Sequence, residues 1–341
     1  MGYVVNKELL ATDPHMSQSC TSCHKGNASS GDQAKAHAGM VKRPSDDPMV
    51  CATCHETESK NYKLSLHYTN AGMKNGVSPR FSSEEKHTFD TTVFEASCRS
   101  CHASCGDCHV KSPVISGVNL GLMDGHRFVE SDESKTCALC HGGRVYPEFS
   151  GEYNGTPDVH YRKGMTCTDC HGATQMHGDG TEYAGRKEVV SKPSCIGCHE
   201  TDSEDQSDEA KEAHEFHAET VSCSACHTGG EYRQCSSCHL GEGATSSPAL
   251  ILGDSPRTPG QLTTLRLIPT VRKTFEKAGI EQKNFDALPN YWDAVPHNVS
   301  KRTDRTRDCS TCHSDNLHYL EESMLPADGS KKNLELIHSG H

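Results

Sequence analysis

Ten copies of the motif C-x-x-C-H run along this 341-residue chain and use all 20 of its cysteines. They are Cys20, Cys23 and His24; Cys51, Cys54 and His55; Cys98, Cys101 and His102; Cys105, Cys108 and His109; Cys137, Cys140 and His141; Cys167, Cys170 and His171; Cys195, Cys198 and His199; Cys223, Cys226 and His227; Cys235, Cys238 and His239; and Cys309, Cys312 and His313. Cysteines three positions apart sit about one helical turn apart, so their thiols can add to the vinyl groups on one porphyrin edge while the next residue swings beneath the iron. The spacing is the attachment signature of haem c, with the motif histidine as proximal ligand. Zinc ribbons and disulfides also pair cysteines, but neither requires a histidine directly after the second one.

Such a chain needs its cofactor in order to have a core. Leu, Ile, Val and Phe together number 51 residues, about 15 % of the sequence, and the formal charge is −12. Without a bound group that combination belongs to disordered chains. With ten porphyrins there are about 34 residues per macrocycle, so the haems must supply the apolar interior and lie close together. The expected fold is mostly irregular coil with short α-helices wrapped around a closely stacked chain of ten c-type haems, and few β-strands. Residues 1–341 read as one continuous multihaem domain.

The acidic balance deepens when haem propionates are added, which disfavours nucleic acid and anionic membrane as partners. No hydrophobic run reaches membrane-spanning length, so no membrane span is expected. The first residues, Met1-Gly-Tyr-Val-Val-Asn-Lys-Glu, lack the basic and apolar regions of a signal peptide. Because haem attachment to this motif follows export, the numbering is expected to begin at or near a mature terminus. The expected location is extracellular or at the cell surface, with the periplasm as the alternative.

Successive first cysteines are 31, 47, 7, 32, 30, 28, 28, 12 and 74 residues apart, a rhythm near 30 with two tight pairs and one long gap. That periodicity points to a repeated haem-binding unit. Residues 241–308 lack cysteine and read as a haem-free insert. Within it, Ala249-Leu-Ile-Leu and Gln261-Leu-Thr-Thr-Leu-Arg-Leu-Ile are expected to pair as strands, with a short helix near Thr270–Ala278 ended by Gly279. The best helix elsewhere is Asp208–Thr220, rich in helix formers and with acids in its first turn.

Removing the proximal ten leaves thirteen histidines. His15, His37, His67, His87, His126, His160, His177, His214, His217, His297, His318 and His338 are the distal candidates, nearly one for each iron, which makes bis-histidine ligation the economical arrangement. His37, His87, His126, His160 and His297 each lie a short reach before a motif, and His214 and His217 share one helix face. Which histidine serves which iron does not follow from their order. The methionines Met123, Met165 and Met176 are alternative ligands, better read as packing. His15, His338 and His341 sit near the chain ends, where a ligand can serve the next protomer; a head-to-tail contact of that kind need not close into a ring.

On these motifs the chain resembles the multihaem c-type cytochromes over residues 20–313. Haem density and terminal histidines make it similar to the extracellular cytochrome filaments, whose subunits polymerise into a continuous haem stack. That resemblance implies an electron-transfer protein rather than an enzyme, with no catalytic residue, a homopolymer as partner, and other cytochromes or extracellular acceptors as its redox contacts. The ten-haem count also resembles a periplasmic, porin-associated conduit and the surface decahaem reductases, although the latter are longer and carry separate β domains. Multihaem nitrite reductases often use C-x-x-C-K at one site, and no lysine replaces a motif histidine here. A hydroxylamine- or tetrathionate-type reductase with one open haem is the remaining alternative.

Overall fold

A computed structural model describes residues 11–98, 103–111, 114–115, 118–119, 126–128, 133–152, 155–204, 206–230, 249–314 and 319–339. Cys101, His102, Met123, the ninth motif (Cys235–His239), His318 and His341 lie outside them. The described elements are short helices and 3-10 turns joined by coil, with few strands, as a chain poor in aliphatic residues requires. No helix among the described residues is long and apolar enough to cross a membrane. Two compact units emerge. The first comprises Met1–Gly72, Cys101–Cys137 and His171–Ser191, and the second Met73–Ser100, Ala138–Cys170 and Lys192–His341.

In the first unit, the motif helices α1 (Cys20–His24) and α2 (Cys105–His109) are each five residues long. A helix over Glu56–Tyr62 follows the second motif. Its Tyr62 is buried, and the hydroxyl donates to the Ala103 carbonyl at 2.6 Å, tying the second motif's helix to the segment after the third. Gly178 (φ +87°) ends the Ala173–His177 helix, and a Cβ there would meet the Asn61 carbonyl at 2.7 Å. Glycine therefore permits this turn to press onto the Glu56–Tyr62 helix. Two antiparallel ladders complete the unit. β1 (Val110–Lys111) pairs with β4 (Arg127–Phe128), and β2 (Val114–Ile115) with β3 (Val118–Asn119).

The second unit contains what conventional core there is. Phe81, Phe89, Phe94 and Ile280 form one cluster, joined by Phe275 and Cys98. The Ser83–Thr88 helix beside it starts with a capping box, Ser82 and Glu85, and the Glu85 carboxylate also accepts from the main chain of Glu281 at 2.8 Å. Helix α3 covers Glu133–His141. Helix α4, Asp208–His217, is capped by Ser207, with Asp208 and Glu209 complementing its positive end. It stops short of Thr220, the end read from the sequence. Beyond His217 the main chain is claimed by strand-like pairing: Leu262 N–H donates to Thr220, Ser222 N–H donates to Leu262, and Val221 bridges Leu262. Helix α5, Cys223–His227, follows directly.

The cysteine-free stretch builds an antiparallel sheet of β5 (Ile251–Asp254), β6 (Leu262–Leu267) and β7 (Tyr291–Asp293), in that order. Ile251 pairs with Leu265, and Leu265 with Asp293. The first two strands are those the alternation of apolar residues indicated; the third was not foreseen. Leu265, Leu267, Tyr291, Leu320 and Leu336 form its core. Gly253 lies so close beneath it that a Cβ would meet Leu265 Cδ1 at 2.6 Å and the Leu336 carbonyl at 2.7 Å. The helix expected near Thr270–Ala278 is reduced to one 3-10 turn, Glu276–Ala278. Side chains take the carbonyls it would have used, with Asn290 donating to Thr270 and Gln282 to Val271 and Arg272. Trp292 is a packing residue under Arg257, whose guanidinium lies 4.2 Å above its ring.

Candidate haem-binding centres

The first, fourth, fifth and eighth motifs lie on α-helical turns; the sixth, seventh and tenth begin on a 3-10 turn whose C-cap is the second cysteine, and the second motif follows a 3-10 turn as a hydrogen-bonded turn. Opposite six motif histidines the fold places a second imidazole. Ring centroids are 6.1 Å apart for His15 and His55, 5.7 Å for His24 and His126, and 5.9 Å for His109 and His177. They are 5.9 Å apart for His160 and His199, 6.1 Å for His214 and His227, and 6.0 Å for His217 and His313. Direct ring packing does not require so uniform a gap. An iron bound by two imidazoles does, because a metal–nitrogen bond of about 2 Å on each side, plus the ring radius, sets the centroids about 6 Å apart. For His24 and His126 the Nε2 atoms face each other at 3.5 Å. Each pair lies within one compact unit.

In several of these imidazoles, and in that of the sixth motif, the other ring nitrogen is held. Nδ1 of His15 and of His160 donates to Asp13 at 2.8 Å and to Asp158 at 2.9 Å. Nδ1 of His24, His217 and His227 donates to the carbonyls of Val41, Ala213 and Ser300 at 2.8, 2.7 and 3.2 Å. Nδ1 of His214 lies between the Thr201 carbonyl and Gln206 Oε1, and Nδ1 of His171 meets Gln175 Oε1 at 2.9 Å. An Nδ1 that donates leaves the Nε2 lone pair bare for a metal, and its acceptor fixes the ring's orientation. Burial and the facing imidazole both lower the pKa of His177; for His227, burial outweighs its bond to Ser300. Neutral rings are the ligating form.

Apolar residues around the motifs match a large flat ligand. Leu139 and Ile196, inside the fifth and seventh motifs, are 80 % and 73 % exposed, and Phe216, between His214 and His217, is 70 % exposed. Large apolar side chains so exposed beside attachment cysteines mark surface that a bound group covers. A cavity of ≈ 600 Å³ opens beside Cys23, with apolar walls from Val41, Pro44 and Val50 and a rim of mixed charge from Lys25, Lys42, Arg43, Asp46 and Asp47. The chain therefore fits haem c by its cysteine turns, its spaced imidazoles and its apolar walls.

The remaining candidates sit in varied settings. His67 accepts from Ala103 N–H through its carbonyl, beside the third motif. His297 is held near the fifth motif by Glu148, which accepts its N–H at 3.0 Å, while its Nδ1 donates to the Val295 carbonyl. Burial raises the pKa of Glu148 to about 6. His37 ends the Gln33–Ala36 helix and His87 lies in the Ser83–Thr88 helix; neither ring faces another histidine among the described residues. His338 donates from Nδ1 to Asp254 at 2.6 Å and stacks on Tyr319.

Sequence reading missed the acceptors that orient these rings, namely Asp13, Asp158, Gln175, Gln206 and Asp254. A signal for two of them was present in Asp13-Pro-His15 and Asp158-Val-His160, where an aspartate caps a turn and reaches the ring two residues on.

Residues 159–240 match the family model described as Cytochrome c3, about a quarter of the chain. A curated relative, "Cytochrome c-552" of Maridesulfovibrio salexigens, is 22 % identical over 180 residues, covering 47 % of this chain and 34 % of the relative. The match thus spans about a third of that protein's length. No solved structure matches. Together with the motif series, these likenesses support a multihaem c-type cytochrome with an electron-transfer function.

Proposed function

We propose that the chain is a decahaem electron carrier with bis-histidine ligation throughout, exported and working outside the cell as the subunit of a filament. The observation that carries the ligation is the recurrent gap of 5.7–6.1 Å between a motif imidazole and a second one. Haem c, when bound, supplies an iron that gains and loses one electron at a time. The protein's own part is static. The cysteines would hold one edge of the group, and the paired imidazoles would ligate its iron and leave no place for substrate. Asp13, Asp158 and the carbonyl acceptors keep the rings in place, so little reorganisation accompanies electron passage.

His338 supports the filament. Its Nδ1 is tied to a carboxylate in the same manner as those of His15 and His160, yet it faces no motif histidine among the described residues. An imidazole so prepared near the chain end suits an iron in the next protomer.

Two measurements test the proposal. Haem content should be ten per chain, with low-spin ferric and ferrous spectra throughout; a high-spin ferric centre would indicate an open site and favour a reductase. Negative-stain microscopy of native material should show filaments that His338→Ala shortens. Uniform single particles would sink the polymer while leaving the carrier intact.

A further inference from the structure

We infer that three haem sites of the second unit follow one another in space in the order seventh, eighth, tenth, with α4 supplying ligands to the last two. This rests on the bis-histidine reading above. The key element is α4, where His214 and His217 stand three residues apart on one face, with Cβ atoms about 5–6 Å from each other. They face different motifs: His214 faces His227 and His217 faces His313. One turn of helix therefore serves two irons, and the eighth and tenth sites adjoin although their first cysteines are 86 residues apart in the chain.

The segment that leads into the tenth motif is bonded to the eighth. The Arg305 guanidinium donates to the Ala225 carbonyl and the Thr303 hydroxyl to that of Cys226, both inside the eighth motif. Ser300 N–H donates to the His227 carbonyl at 2.9 Å, and Cys312 packs against the cluster containing Ala225 and Leu252.

The seventh motif joins the eighth through His214, whose Nδ1 donates to the Thr201 carbonyl at 3.1 Å, two residues beyond His199 of the seventh motif. On its other flank, His160 faces His199 of the seventh motif but lies seven residues before Cys167, and its carbonyl accepts from Met165 N–H at 3.1 Å. The imidazole serving the seventh site is thus carried by the segment that leads into the sixth. The tenth site adjoins the eighth although the ninth motif stands between them in the sequence.

The test uses the full-length holoprotein and the magnetic coupling between vacated irons. His160→Ala, His214→Ala and His217→Ala should each leave ten haems and convert one ferric centre from low to high spin. In the pairs His160→Ala/His214→Ala and His214→Ala/His217→Ala the two high-spin signals should be broadened by dipolar coupling. In His160→Ala/His217→Ala, where the eighth site intervenes, the spectrum should be close to the sum of the singles. An additive spectrum for His214→Ala/His217→Ala, or a single high-spin centre in it, would overturn the order. Absence of a high-spin signal in all three single variants would instead defeat the ligation reading beneath it. If the variants do not fold, iron positions in a cryo-electron microscopy map of the unaltered holoprotein decide the matter: the eighth iron must lie between the seventh and the tenth and adjoin both, and any other order overturns the inference.

Discussion

One carboxylate oxygen of Asp158 holds His160 twice, accepting from its main-chain N–H at 2.7 Å and from its ring Nδ1 at 2.9 Å. The other oxygen accepts from Val299 N–H at 2.7 Å, and the residue is 2 % exposed. A buried anion against Nδ1 both aims the ring and makes Nε2 more basic, which favours the ferric state of an iron bound there.

Asp158→Asn should therefore raise the midpoint potential of a single haem while leaving haem content unchanged. It should also lower stability by about 1–3 kcal/mol, because a buried donor loses its charged acceptor. Spectroelectrochemical titration beside a denaturation curve checks both; an unaltered set of potentials would count against the orienting role.

Leu265 is fully buried in the core of the β5–β6–β7 sheet, packed with Leu267, Tyr291, Leu320 and Leu336. Leu265→Ala should cost about 2–5 kcal/mol and loosen this sheet. Because no motif cysteine belongs to that cluster, the low-spin spectrum should persist at temperatures where the sheet has opened. Simultaneous loss of both would show that the sheet and the haem sites unfold as one.

Asp286 ties the chain's last 3-10 turn to the second unit. It accepts from Lys331 N–H at 2.9 Å and pairs with Arg272 at 2.9 Å. Burial pushes its carboxyl up, but the Lys331 N–H and the Arg272 guanidinium outweigh burial and hold it below the ordinary aspartate value of 3.8. A depressed folded value means that the unfolded chain takes up the proton first. The stabilisation is present above about pH 4 and is lost as pH falls through the lower folded value. Hydrogen exchange over Lys331–Leu336 should speed up in that acid range, and Asp286→Asn should remove the dependence.

Preventing haem attachment should abolish the cooperative unfolding transition. The buried hydrophobic clusters of the described residues hold at most five residues each, too few to offset the entropy of ordering a chain of this size. Circular dichroism of material made without haem ligation checks this, and a sharp thermal transition would refute it.

The sequence carried the attachment cysteines, the hairpin of β5 and β6, and the start of α4 at Asp208, because each rests on local spacing. It did not carry ligand pairing. His126 lies 11 residues before Cys137 yet faces His24, and His160 lies seven before Cys167 yet faces His199. A ligand is chosen by where the chain returns in space, and in a fold lacking long helices or a large sheet nothing periodic announces that return. The third strand, Tyr291–Asp293, escaped notice for a related reason: three residues show no alternation, and only the partner strand defines them.

The motif helices α1, α2 and α5 are five residues long, well below the length at which an isolated helix persists in water. None can wait, preformed, for its porphyrin. The cysteines are therefore reached on a pliant chain, and covalent capture is what nucleates each turn. Folding then inherits its timetable from attachment: α5 cannot settle against Thr303 and Arg305 until its own cysteines have been loaded.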